Sequence, residues 1–152
     1  MKIITVKAGK GIESLTVQSP VPYEVIRSNL GFDSPFTIAS RKIGGKVYDI
    51  YCDDEGLLKD KKYVTALCMD YPEVLCGDLL IAKHDCAGNT IGLTDKEAEM
   101  IMKAFLPLNP SAVQEQEDGD FILANAPVGI FPPPSGALLV KKGCAKVLAY
   151  RF

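Results

Sequence analysis

The sequence predicts an α+β fold: a mixed or antiparallel sheet with two to three short helices. Three observations carry that expectation. Several short stretches alternate apolar and polar residues, as half-buried strands do. One stretch, after Thr94, repeats apolar residues at helical spacing behind a capping signature. Turn residues such as Gly44-Gly45 and stops such as Pro107 separate these stretches.

Met1–Lys7 and Ile12–Gln18 both alternate, and Ala8–Gly11 between them carries two glycines. The pair reads as a hairpin. Pro22 suits the first turn of a helix, because its missing N–H is unpaired there anyway. Val25, Ile26 and Leu30 give that helix one apolar face, and Gly31 stops it. Phe36–Ser40 and Val47–Cys52 are strands joined through the sharp turn Gly44-Gly45. The acidic loop Asp53-Asp54-Glu55-Gly56 follows.

Asp60 is placed to cap a helix with Tyr63, Val64, Leu67 and Cys68 on its apolar face. Leu79–Ala82 reads as a buried strand and His84–Asn89 as a turn. Thr94 and Glu97 form a capping box for the helix carrying Ala98, Ile101, Met102 and Phe105, which Pro107 and Pro110 stop. Ser111–Asp120 is polar and acidic and reads as an exposed loop. Phe121–Ala124, Ala137–Val140 and Lys146–Tyr150 add strands or an edge hairpin, with the stiff segment Pro132-Pro133-Pro134 between the first two. The organisation predicted is one domain over residues 1–152, its last part, 106–152, a strand-rich extension.

Composition bounds the function. Hydrophobic residues make up 47% and charged residues 24% of the 152, so a packed core is expected. The net charge of -2 and pI of about 5.4 give no strong signal for nucleic acid, which normally selects a basic face. No apolar run approaches the roughly 20 residues of a spanning helix, and Met1–Lys7 lacks the pattern of a signal peptide. A cytoplasmic location is expected. Five cysteines, Cys52, Cys68, Cys76, Cys86 and Cys144, are an odd, sparse set and read as buried reduced thiols.

The pieces of residues 22–105 follow a recurring order. A helix precedes Ile43-Gly44-Gly45-Lys46-Val47-Tyr48-Asp49-Ile50. Asp53-Asp54-Glu55-Gly56-Leu57-Leu58-Lys59 comes next. Cys76-Gly77-Asp78-Leu79-Leu80-Ile81 then leads to Gly92-Leu93-Thr94-Asp95-Lys96-Glu97. This order resembles a domain of unknown function found in phage, plasmid and conjugative-element proteins of Firmicutes. Where that pattern commonly has a Pro-x-Asn-Arg-like segment, this chain has Lys59-Asp60-Lys61-Lys62-Tyr63. The resemblance implies genomic context and assigns no activity.

Few residues converge on chemistry. His84 is the only histidine, and with Cys86 it makes a His-x-Cys pair suited to a metal or a nucleophile with its base. An exposed turn histidine is the simpler reading. No P-loop, nucleophile elbow or dinucleotide fingerprint occurs, so no catalytic residue, metal or cofactor is assigned. For a small ligand, the expected site is a rim of Gly44, Gly45, Asp53, Asp54 and Gly56, which combines permissive backbone with carboxylates. The acidic segment with Glu115, Glu117 and Asp118, beside the prolines, is a candidate contact for a protein partner. A non-enzymatic accessory protein that binds a macromolecular partner is the leading expectation. A nucleotide or small-ligand binder and a Cys/His zinc protein or enzyme are the alternatives.

Overall fold

The computed structural model describes residues 1–7, 10–31, 35–54, 65–68, 70, 75 and 77–107, and the backbone of 62–63, 112–115, 121–125, 137–141 and 147–151. The fold is α+β. The hairpin expected at the start is present as β1 (Lys2–Lys7) and β2 (Gly11–Thr16). Helix α1 (Tyr23–Ser28) follows Pro22, then strands β3 (Phe36–Ile43) and β4 (Lys46–Asp53). Short strands β5 (Lys62–Tyr63) and β6 (Ala66–Cys68) precede β7 (Leu79–His84) and β8 (Thr90–Ile91). Helix α2 (Asp95–Ala104) runs into β9 (Phe105–Pro107). Strands β10 (Ala112–Glu115), β11 (Phe121–Asn125), β12 (Ala137–Lys141) and β13 (Val147–Arg151) complete the order.

The main sheet has six strands in the order β2-β1-β7-β4-β3, with β8 paired to the end of β7. Every pairing in it is antiparallel. Gly44 and Gly45 both have positive φ, 59° and 86°, which lets two residues close the β3–β4 hairpin at Ile43 and Lys46. Both faces are packed over the middle of the sheet, so the central residues of β1, β4 and β7 are buried in unbroken runs rather than alternately. Ile4, Val6, Tyr48, Ile50, Leu79 and Ile81 pack against Ala98 and Ile101 of α2. Ile3, Tyr51, Leu80 and Ala82 pack against Val21, Ile26 and Leu30 around α1. A separate antiparallel sheet has the order β13-β12-β11-β10-β5, and β6 pairs with β9.

Three expectations change. The helix after Asp60 is absent where the chain is described: Thr65–Cys68 are all buried, and Ala66–Cys68 pair with Phe105–Pro107 as β6 and β9. A short fully buried run has the same apolar content as a strand or a helix, and the pairing partner decides. Phe105 leaves the helix and enters β9, where it pairs with Cys68, and Pro107 steers Leu106 before it toward extended backbone. Its ring still reaches the α2-side core. Within Ser111–Asp120, Ala112–Glu115 form a strand rather than a loop. Glu117, Asp118 and Pro132–Pro134 lie outside the described residues. Among the described residues no helix is long and apolar enough to cross a membrane.

Candidate functional site

The alternation along β3, β4 and β7 sorts polar side chains between the two faces of the sheet. On the α2 side, Glu97 is the centre. Its backbone N–H donates to Thr94 Oγ1 at 3.2 Å, and its Oε1 accepts from the Thr94 N–H at 3.0 Å, the capping box read from sequence. The same carboxylate accepts from Lys83 Nζ at 2.7 Å and from the Tyr48 hydroxyl at 2.9 Å. Burial pushes the Glu97 carboxyl up, but the bonds from Lys83, the Thr94 N–H and Tyr48 outweigh it and pull it down to about 2. The Tyr48 hydroxyl is pushed up to about 12 by burial and by its bond to that carboxylate. The bonds from Lys83 and Tyr48 tie α2 to the sheet, so this cluster is structural.

The α1 side differs. Helix α1 is short and leaves one half of the face uncovered. Val47 is 55% exposed there and Ile38 is 49% exposed. Between β4 and β7, His84 Nδ1 lies 2.8 Å from Oδ2 of Asp49, whose side chain is only 6% exposed against 55% for His84. Ser40 Oγ donates to the other oxygen, Oδ1, at 3.4 Å. A carboxylate can only accept, so Nδ1 carries a hydrogen, and in the neutral ring Nε2 keeps its lone pair. Tyr51 and Thr90 lie on the same face with their hydroxyl oxygens 2.6 Å apart. The Tyr51 hydroxyl is pushed up by burial, partly offset by the Thr90 bond, with the Asp49 charge adding to the rise.

The strand geometry explains this grouping. Asp49 pairs with Ser40 on β3 and with Ala82 on β7, and residues directly opposite share a face. His84 is two residues beyond Ala82 and therefore returns to that face. The sequence placed His84 in a turn, but it is the last residue of β7 and reaches back over the sheet. The turn itself is Asp85–Asn89, closed by Asp85 Oδ1 accepting from the N–H groups of Ala87 and Asn89 at 2.9 Å. Asp49 was missed because it sits inside a strand rich in β-formers. A lone acidic residue in the middle of such a run is the signal that marks it.

The four described rim residues, Gly44, Gly45, Asp53 and Asp54, are not brought together. Gly44 and Gly45 form the turn at one end of the β3–β4 hairpin, and Asp53 and Asp54 lie at the other. The length of β4 separates them, roughly 25 Å at strand rise from Gly45 to Asp53. Gly44 instead donates its N–H to Asp70 Oδ2 at 2.8 Å. Gly56 lies outside the described residues. Cys86 is exposed, Cys52 and Cys68 are buried, and burial raises the Cys52 thiol to about 11. Among the described residues, no three His, Cys, Asp or Glu side chains gather as a set able to hold a metal ion.

Chemically, the arrangement presents one oriented imidazole on an open, partly apolar surface. Ser40 bonds the carboxylate rather than the imidazole, so the three residues do not form a nucleophile–base–carboxylate chain. An imidazole so held accepts a hydrogen bond from a docked molecule or acts on one as a base.

Two comparisons found nothing: no curated protein matches the chain, and no solved structure does. A family model described as a domain of unknown function (DUF3846) matches residues 1–106. That match begins at the first residue, ahead of the start at Pro22 suggested by the resemblance, and takes in the whole six-stranded sheet and both helices. Strands β10–β13 fall outside it. The chain belongs to the DUF3846 family.

Proposed function

We propose that this chain is a non-enzymatic accessory protein of a mobile genetic element and binds a macromolecular partner on the uncovered half of the α1 side. One observation carries the reading: Ile38 and Val47 are exposed on the sheet face that holds the Asp49–His84 pair. An exposed apolar residue is ordinary alone, and two on one face with an oriented polar group resemble the composition of a docking patch. Covering a half-exposed Ile or Val contributes on the order of 1 kcal/mol. The imidazole adds direction. The mobile-element context rests on the order of motifs in residues 22–105. The test is capture from the native host with wild-type and Val47→Glu baits. A stoichiometric partner kept by the wild type and lost by Val47→Glu is expected. A partner held equally by both, or none at all, contradicts the reading.

A small-ligand binder, such as a nucleotide-sequestering protein, is the second reading. It is favoured by the fixed tautomer of His84, since ligand sites commonly orient an imidazole through a carboxylate on its other nitrogen. A thermal-shift screen with nucleotides and divalent ions tests it. A rise in melting temperature that His84→Ala abolishes supports it, and a flat response disposes of it.

A further inference from the structure

We propose that β3 is a dimerisation edge, which pairs antiparallel with β3 of a second copy. The inference concerns the edge of the sheet and stands independently of what docks on its face.

Strand β3 is the last in the sheet order, and among the described residues no strand pairs with its outer side. The two-residue turn makes Ile43 and Lys46 a hydrogen-bonded closing pair. Bonding then alternates along the hairpin, so Phe36, Ile38, Ser40 and Lys42 direct their N–H and C=O groups away from β4. Natural edges are usually protected by shortness, bulges, proline or charged side chains, and of these β3 carries only the charges Arg41 and Lys42, both toward its hairpin end. This edge has eight residues in unbroken register, with no proline among them. Thr37, Ile38, Ser40 and Lys42 are exposed. The Ser40 carbonyl accepts from Arg41 Nη1 at 2.8 Å, and its second lone pair stays open to a neighbouring strand.

Charge selects a second copy as the occupant. The hairpin end of this edge is basic, with Lys42 and Lys46 exposed, and the far end is acidic, with Asp53 half-buried and Asp54 exposed. An antiparallel two-fold sets the basic end of one copy against the acidic end of the other. Centring the two-fold on Ala39 pairs Ile38 with Ser40 of the other copy and Phe36 with Lys42. All four outward residues of each strand then find outward partners, giving about eight main-chain hydrogen bonds. Asp53 is the cross-strand neighbour of Phe36, so Lys42 reaches it across two strand spacings, roughly 9.5 Å between Cα atoms. The product is one continuous sheet, with the two uncovered half-faces side by side.

Sedimentation equilibrium of the full chain tests this. The wild type is expected at twice the 16.5 kDa of one chain. Ile38→Pro removes an outward N–H without touching the β3–β4 bonds, and is expected to weaken the dimer by at least about tenfold. Should that variant misfold, charge reversal decides. Lys42→Glu and Asp53→Lys each weaken association, and the double variant recovers it. A monomeric wild type overturns the proposal. So does a dimer indifferent to Ile38→Pro, or single charge reversals that the double variant fails to rescue.

Discussion

Lys83 of β7 and Glu97 of α2 meet at 2.7 Å, joining the helix to the sheet through the same carboxylate that caps the helix. The Glu97 side chain is 11% exposed, so solvent screens it little. Its carboxyl is held at about 2, below the ordinary 4.5. A depressed carboxyl stabilises the fold above its unfolded value and loses that contribution as pH falls toward the folded one. Stability should therefore drop between about pH 5 and pH 2, by on the order of 2–3 kcal/mol from this group. Denaturant melts of wild type and Glu97→Gln across that range check it. The variant is expected to be less stable at pH 7 and to show a flatter acid limb.

Tyr48 should ionise well above the ordinary tyrosine value of 10.0. Its hydroxyl is pushed up to about 12 by burial and by the Glu97 carboxylate it donates to. A raised folded value keeps its contribution intact below about pH 10, and the contribution is lost as pH rises through 12. Absorbance titration of wild type and Tyr48→Phe separates this step. Its absence from the difference between the two curves contradicts the buried bond.

Gly44→Ala is expected to destabilise the protein more than Gly45→Ala. Both positions have positive φ and incur a left-handed penalty of about 1 kcal/mol. A Cβ on Gly44 also meets Met100 Sδ at 2.6 Å, whereas one on Gly45 meets nothing within 4 Å. Urea melts of the two variants give the ranking. Equal losses would mean that the flexible end of Met100 swings aside at little cost.

Among the described cysteines, the native protein should be alkylated at Cys86 alone. Cys86 is exposed, and Cys52 and Cys68 are buried, with the Cys52 thiol held near 11 by burial. The thiolate is the nucleophile that attacks iodoacetamide and displaces iodide, and it is scarce at neutral pH when the value is so high. Peptide mapping after brief iodoacetamide treatment, with and without urea, checks the order. Native labelling of Cys52 at the rate of Cys86 contradicts it.

Local signals predicted the local elements well. The Thr94–Glu97 capping box and the Gly44-Gly45 turn are written in a few adjacent residues, and both formed as read. Thr65–Cys68 misled because a run buried on all sides carries no period, and its partner strand β9 lies far along the chain. The candidate site was hidden for the same reason. Ser40, Asp49 and His84 come from three strands, and only the pairing of β4 with both β3 and β7 puts them on one face. The rim of Gly44, Gly45, Asp53 and Asp54 looked contiguous because a hairpin's two ends are close in sequence while an extended strand keeps them apart in space.

The tautomer of His84 tests the account most directly. It can be read from the ring ¹⁵N shifts of the chain's only histidine, above its titration, in wild type and Asp49→Asn. One ring form, protonated at Nδ1 and bare at Nε2, is expected in the wild type, with averaging in the variant. A freely exchanging ring in the wild type, or hydrogen on Nε2, would mean that Asp49 does not orient this imidazole toward a docked molecule.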